Sequence, residues 1–147
     1  MGQMGKSRAR ELAIGAAARM AGCAVATIRY YEEVGLMPPA NRATGGGRLF
    51  NERDIARLVF VRRCRDLDMP IEKIAQLLAI SDDGKRPCAE ALDLANEHLT
   101  AVRDRIRELR KLERTLSAFA AECAVTCCGG SSASCNLFAD MRKGVEA

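Results

Sequence analysis

The chain has 147 residues, of which 48% are hydrophobic and 29% charged, a composition typical of a globular protein. Only 4% are aromatic, and the abundance of Ala, Leu, Arg and Glu favours helices over a β-sandwich. The net charge of +4 is uneven: residues 1–70 carry twelve Lys and Arg against seven Asp and Glu, whereas residues 71–147 carry eleven against twelve, so a polyanion would bind the N-terminal half. Neither a secretory signal nor an apolar run of roughly 20 residues is visible, and we therefore expect a cytoplasmic protein with no membrane partner.

The N-terminal part of the chain predicts two short helices. Residues 1–11 are polar, and we expect them to form a disordered tail. Two segments with apolar residues at helical spacing follow, over residues 14–21 and 24–34, and a glycine-containing break separates them. Two short helices joined by a tight turn are typical of a helix-turn-helix.

The next segment, residues 35–51, predicts a wing. It contains two adjacent prolines and three consecutive glycines, which a helix does not accommodate, and two apolar residues after the glycines indicate a hairpin. Further helices are predicted over residues 52–67, with Asn51 as N-cap, and over residues 71–80, after a proline. Together these elements predict a winged helix-turn-helix DNA-binding domain over residues 12–80.

A single long helix is predicted from Cys88 to about Glu122, because this stretch contains neither Pro nor Gly and carries apolar residues at coiled-coil spacing. The members of this apolar stripe are Leu92, Ala95, Leu99, Val102, Ile106, Leu109, Leu112, Leu116 and Phe119. Such a stripe must be buried against another helix, and the chain offers no second helix of matching length. We therefore predict that residues 81–122 form a linker and a dimerisation helix, and that the protein is a homodimer.

Side chains suited to DNA occur on the second helix, on the wing and on the helix that follows the wing. Arginine can bind a phosphate or a guanine edge, and a tyrosine hydroxyl can donate to a phosphate. The candidate DNA-binding residues are Arg29, Tyr30, Tyr31, Arg42, Arg48 and Arg65. Each arginine could instead be an ordinary solvated residue and Tyr31 a core residue, but taken together with the uneven charge they favour nucleic-acid binding.

The motif TIRYYE, followed by GLMPP, a wing rich in glycine and arginine, and RRCRDLDM, resembles the N-terminal half of the MerR family of transcription regulators. The similarity covers residues 12–80 closely, and the long helix and cysteine-bearing tail continue it in order. It implies a winged helix-turn-helix, an antiparallel coiled-coil homodimer with an effector site at its ends, and activation by distorting an overlong promoter spacer so that RNA polymerase engages both promoter elements. One departure is Gly47, where the family often has an aromatic residue.

Seven cysteines in a chain with no visible secretory signal favour metal or redox chemistry over structural disulfides. Cys88 opens the long helix and Cys123 closes it, so about 50 Å separate them within one chain if the helix is continuous. In an antiparallel pair, Cys88 of one copy lies near Cys123 of the other. The sequence therefore predicts a metal site between the subunits. Cys23 and Cys64, by contrast, are predicted to be small buried hydrophobic residues.

The tail over residues 123–147 is predicted to form a metal-binding loop and a short C-terminal helix. The candidate metal ligands are Cys88, Cys123, Cys127, Cys128 and Cys135. Thiolates favour soft ions, and the resemblance implies a divalent one (Zn, Cd, Pb or Hg), because a cysteine at the start of the dimerisation helix accompanies divalent sensors. The resemblance also matches Cys123 and Cys135 to the family's two loop cysteines. Eleven residues separate them here, more than the usual seven or eight, so the ligand roles of Cys127 and Cys128 stay open.

These features predict a mainly α protein: a winged helix-turn-helix domain, then a long antiparallel coiled-coil helix and a metal-binding loop. We expect a metal-responsive regulator, not an enzyme, that binds promoter DNA and activates metal-resistance genes. Two alternatives stay open. Four cysteines within thirteen residues could hold an iron–sulfur cluster in a redox-sensing regulator of the same fold. A metal-storage protein or thiol enzyme is the other, but it would leave the basic N-terminal half unexplained.

Overall fold

The structure, a computed structural model, describes residues 11–39, 41–42, 45–126 and 130–143. In chain order its elements are β1 (Leu12–Ala13), α1 (Ile14–Ala21), α2 (Val25–Glu33), β2 (Asn41–Arg42), β3 (Arg48–Phe50), α3 (Glu52–Asp66), α4 (Ile71–Asp82), α5 (Cys88–Thr126) and α6 (Asn136–Lys143). A short 3-10 turn over Ser132–Ser134 precedes α6. The predicted mainly α fold is confirmed, and every predicted helix is present within a few residues of its expected bounds.

The chain divides into two compact units, Met1–Ala95 and Asn96–Ala147, so that the boundary falls inside α5. This division follows packing and does not test the functional domains expected from the sequence. Those domains therefore stay a prediction. No helix within the described ranges is both long enough and apolar enough to cross a bilayer.

Local chemistry explains where the helices of the first unit begin and end. The helix α1 ends at Gly22, which has a left-handed backbone (φ +69°) that glycine adopts readily, and its N–H donates to the carbonyls of Ala18 and Arg19. The predicted cap of α3 is confirmed as a capping box. The Asn51 side chain accepts from the Asp54 N–H at 3.0 Å, and the Asp54 carboxylate accepts from the Asn51 N–H at 2.9 Å.

The predicted wing is confirmed as part of a three-stranded antiparallel sheet of order β1-β3-β2. Arg42 lies opposite Arg48 in the β2–β3 pair, and Ala13 lies opposite Leu49 in the β1–β3 pair. The strand β1 was not expected, because two residues are too short to show an alternating pattern and their pairing is non-local. Phe50, at the end of β3, is buried and anchors the wing to the core.

The core of the first unit is apolar and lies among α1, α2, α3, α4 and the wing. Its largest fully buried side chains are Phe50, Ile28, Leu36, Leu58, Ile74 and Val61. Ala17, Ala18 and Ala21 give α1 a small-residue face, which allows the neighbouring helices to approach closely. Full burial of one large aliphatic side chain stabilises the fold by about 1.5–3 kcal/mol, so this core holds α2 and the wing in a fixed arrangement.

Arg57 ties three parts of the first unit together, and the sequence pattern did not single it out. Its Nε donates to the carbonyl of Leu36, in the turn after α2, at 2.7 Å. Its Nη1 donates to both carboxylate oxygens of Asp82, at the end of α4, at 2.9 and 2.8 Å. One side chain of α3 therefore positions both the end of the α2 turn and the end of α4.

The helix α5 is a single element of 39 residues, which extends four residues beyond the predicted end. The apolar stripe predicted along it is exposed in the single chain: Leu92 is 60% and Leu116 is 62% exposed, and Leu99, Ile106, Leu109 and Leu112 are also exposed. Apolar residues at this spacing stabilise a helix only when another surface covers them. The stripe is therefore an unpartnered face of the monomer.

Candidate nucleic-acid interface and metal centre

Neighbouring candidate residues of α2 lie on different faces of the helix. Consecutive residues of a helix are rotated by about 100°, so residues three apart share a face. Ile28 and Tyr31 accordingly lie in the core, where Tyr31 is only 5% exposed, whereas Arg29 and Tyr30 lie at the surface and Tyr30 is 47% exposed. Arg29 and Tyr30 are therefore placed to contact a ligand outside the domain.

Tyr31 has the surroundings of a core residue. Burial raises the pKa of its phenol, and this effect outweighs the opposite effect of the positive charge of Arg65. Its ring also lies 6.0 Å from that of Tyr30, at an interplanar angle of 48°. The alternative that the sequence left open, a core residue, therefore accounts for Tyr31, and its role in DNA binding stays a prediction.

The wing carries two of the candidate arginines at directly opposed positions of the sheet, Arg42 and Arg48. The guanidinium of Arg48 forms an ion pair with the carboxylate of Glu32, at 3.0 Å between Nη1 and Oε2. Glu32 belongs to α2, so this contact joins the wing to the second helix of the helix-turn-helix. Sequence reasoning missed Glu32 because the contact is tertiary and sixteen residues separate its partners along the chain. The side chain of Arg42 lies outside the described part of the structure.

Arg65 is exposed and has a structural role at the end of α3. Its Nη1 donates to the carbonyl of Met69 at 2.8 Å, across a turn in which Asp68 has a positive φ of 57°. A guanidinium has five N–H donors, and this contact uses one of them. The placement of Arg65 is compatible with a DNA contact as well, which stays a prediction.

Three of the five candidate metal ligands lie in the described structure. Cys88 is the first residue of α5 and is exposed. Cys123 lies near the other end of α5, and Cys135 directly precedes α6, where its carbonyl accepts from the Ala139 N–H at 3.4 Å; both are half-buried. Cys127 and Cys128 lie outside the described residues.

The other two cysteines of the described structure have a different environment. Cys64 is buried, Cys23 is half-buried against the core, and burial raises the pKa of both thiols. Since a metal ion binds the thiolate, burial of this kind disfavours coordination. The prediction that Cys23 and Cys64 are packing residues is therefore supported by their surroundings.

Helix geometry separates Cys88 from Cys123. They lie 35 residues apart on one continuous helix, which corresponds to about 50 Å, so one ion cannot bind both thiols of one chain. Among the described residues, no group of three His, Cys, Asp or Glu side chains comes together. The thiols of Cys88, Cys123 and Cys135 are soft donors, and their chemistry fits a thiophilic ion.

Comparison with known proteins gives two family matches along this chain. A family model described as "MerR HTH family regulatory protein" matches residues 12–80. A second, described as "MerR, DNA binding", matches residues 55–119. The two overlap across α3 and α4 and together include the helix-turn-helix, the wing and most of α5.

Individual relatives extend the similarity over most of the chain. It is 41% identical to the HTH-type transcriptional regulator ZntR homolog of Haemophilus influenzae over 103 residues, which cover 70% of this chain and 76% of the relative. It is 36% identical to ZntR of Escherichia coli K12 over 134 residues, or 90% and 94% of the two chains. Among solved structures, the regulator PbrR691 of Ralstonia metallidurans CH34 in complex with lead(II) matches with a TM-score of 0.78 and 36% identity, over 88% of this chain and 98% of that one.

Proposed function

The chain belongs to the MerR family of HTH regulatory proteins, and from this premise we propose that it is a metal-responsive transcription regulator of metal-resistance genes. The observation that carries the proposal is an exposed cysteine at the start of α5 and half-buried cysteines near and beyond its end, in a chain whose relatives are ZntR regulators and a regulator solved with lead(II). In this proposal residues 12–80 bind promoter DNA in the cytoplasm, residues 81–122 form the dimer, and residues 123–147 complete the metal site.

The DNA contacts are proposed on the exposed side of α2 and on the wing. Arg29 and Tyr30 lie at the surface of α2, and Arg42 and Arg48 lie on the wing beside it. Cations at such positions bind phosphates and supply most of the affinity for DNA, whereas contacts with base edges supply specificity. In keeping with the family, we propose that promoter distortion by the bound regulator allows RNA polymerase to engage.

The dimer is proposed because the apolar stripe of α5 is exposed in the single chain. A second copy of α5 has the length and the spacing to cover it. In an antiparallel pair, the Cys88 end of one helix lies beside the Cys123 end of the other. The site is therefore complete only in the dimer, and each ion joins two subunits.

The proposed ligands of a thiophilic divalent ion (Zn, Cd, Pb or Hg) are Cys88 from one subunit and cysteines of the tail from its partner. Cys123 and Cys135 are the described members of that second group, and Cys127 and Cys128 are candidates beside them. When bound, the ion would supply thiolate bonds to both subunits. The protein would supply the soft donors, and α5 would connect the site along the chain to the DNA-binding domain.

The test is a competitive titration of the purified protein with Zn, Cd, Pb, Hg and Cu(I), with stoichiometry, followed by binding to a DNA duplex selected by the protein from a random pool. We expect preferential binding of divalent ions and specific DNA binding that Arg29→Ala weakens without a change in metal stoichiometry. Arg103→Ala, an exposed arginine of α5, is the matched control. Iron content with a visible absorption band would instead support the iron–sulfur alternative, and DNA binding that shows no preference for the selected duplex would refute the regulator itself.

A further inference from the structure

The ion pair between Glu32 and Arg48 joins the two elements that are proposed to face DNA. Arg48 lies on β3, between the glycine-rich tip of the wing and Phe50, which anchors the strand in the core. Glu32 lies in the last turn of α2. Their contact at 3.0 Å therefore joins β3 of the wing to the last turn of α2.

The register of the wing brings two arginine positions together at this point of the sheet. Arg42 and Arg48 occupy directly opposed positions of the β2–β3 pair. Like charges at such positions destabilise a pair of strands, and an anion beside one of them reduces the effect. Glu32 supplies that anion in the free protein, and a DNA phosphate is the other group that would supply it in a complex.

The surroundings of the Glu32 carboxylate are unfavourable for the stability of the fold. Its side chain is 11% exposed, and its Oε1 is buried without a hydrogen-bond partner in the described part of the chain. A half-satisfied carboxylate away from water costs free energy, which a single ion pair offsets only in part. Arg48, in contrast, is 36% exposed, so its outer face stays accessible from solvent.

We infer that Glu32 is a positioning residue for DNA recognition: it holds the wing Arg48 beside α2 and withholds part of that positive charge from non-specific phosphates. The inference rests on the proposed binding of promoter DNA. Its consequence is a lower affinity for DNA in general and a higher selectivity for a duplex that fits the protein. A free Arg48 binds any phosphate within reach, whereas an Arg48 held by Glu32 contributes fully only when the duplex fits both the wing and α2.

The test compares Glu32→Gln with wild type on two duplexes of equal length, one selected from a random pool by the wild-type protein and one scrambled. Binding is measured by fluorescence anisotropy over a series of salt concentrations. On the scrambled duplex we expect the slope of log K against log salt to steepen by up to about 0.9 for each wing, because one more cation is free to displace counterions. The ratio of the two affinities should fall by about twofold to fivefold, the size expected when an accessible ion pair is lost.

Glu33→Gln is the matched control, since it makes the same change of net charge at the exposed neighbouring residue of α2. The effect of Glu32→Gln should also disappear in an Arg48→Gln background, which a general loss of stability would not produce. Thermal unfolding of each variant is measured in parallel. If Glu32→Gln does not fold, Glu32→Asp, which keeps the charge but withdraws it from Arg48, should change the slope and the ratio in the same direction.

Equal slopes and equal affinity ratios for Glu32→Gln and Glu33→Gln would overturn the inference, as would an effect that persists undiminished without Arg48. Either outcome would leave the proposed function standing as long as the wild-type protein prefers the selected duplex. If the wild-type protein shows no such preference, the proposed function fails first, and the inference fails with it.

Discussion

At the scale of single residues, the surroundings of a side chain decide its role more than its type does. Tyr30 and Tyr31 are neighbours, yet one is at the surface and the other in the core, because a helix turns by about 100° per residue. The arginines differ in the same way. Arg29 lies at the surface, whereas Arg57 is engaged with Leu36 and Asp82. The side chain of Arg57 is thus used within the fold, whereas that of Arg29 stays available for the proposed contact with DNA.

We predict that Arg57→Ala lowers the free energy of unfolding by about 1.5–3 kcal/mol, the contribution typical of a hydrogen bond from a charged group. The largest part should come from the bond to the Leu36 carbonyl, because Asp82 is 61% exposed and an ion pair with an exposed partner contributes little. Urea unfolding followed by circular dichroism measures the change. Arg53→Ala, an exposed arginine of the same helix, is the control, and equal losses for the two variants would contradict the role of Arg57.

Among the elements, α5 carries an apolar stripe that nothing in the single chain covers. A helix of 39 residues with an exposed apolar stripe lacks the burial that stabilises most helices. The wing shows the opposite case. Its three strands contain only seven residues, but one of them, Phe50, is fully buried and attaches the sheet to the core. The wing is therefore positioned within the single chain, whereas the apolar stripe of α5 is left uncovered there.

We predict that Leu99→Asp shifts the protein from dimer to monomer. Burial of an unpaired carboxylate in an apolar interface is costly, and a cost above about 1.4 kcal/mol raises the dimer dissociation constant more than tenfold. Sedimentation velocity over a range of protein concentrations measures this. The control is Thr100→Asp, which introduces the same charge at the next residue, outside the stripe. A dimer that survives Leu99→Asp as it survives Thr100→Asp would argue against this face as the interface.

At the scale of the whole molecule, metal binding and dimerisation are proposed to be one event. Cys88 and Cys123 lie at opposite ends of the same continuous helix, so a site that uses both must take them from two chains. An ion bound there would be linked through α5 to the DNA-binding domains. Removal of the ion with a chelator should accordingly weaken the regulatory response. It should not unfold the apolar core of the first unit, because none of the buried residues of that core is a candidate metal ligand.

We predict that Cys88→Ser and Cys123→Ser each abolish high-affinity metal binding in the homodimer, and that mixing the two variants restores it in part. A mixed dimer contains one site with both cysteines intact and one site with neither, so half of the wild-type stoichiometry per mixed dimer is expected. The measurement is metal binding after the two differently tagged variants are unfolded together, refolded and purified through both tags. Mixed dimers that bind no metal would exclude a site shared between subunits, and Cys23→Ser serves as the control for loss of a thiol elsewhere.

Much of this protein could be read from local patterns. Proline, glycine and apolar spacing predicted all the helices, the cap at Asn51, the wing and the exposed stripe, because these features depend on residues close together in the chain. The same patterns placed Cys88 at the start of α5 and set Cys23 and Cys64 apart as packing residues. Local patterns did not reveal β1, because its two residues form a strand only by pairing with the distant β3.

The order and type of the elements, the basic N-terminal half and the soft donors of the tail follow from the amino-acid sequence alone, since composition and periodicity act over short distances. The contacts between side chains of different elements, in contrast, become visible in the folded chain. In the folded chain Tyr31 lies in the core, and Arg57 binds the turn after α2 and the end of α4. Arg48 forms an ion pair with Glu32, sixteen residues away in the sequence. The physical reason is that burial and ion pairing depend on which surfaces meet, and residues distant in the chain meet only when the core has packed.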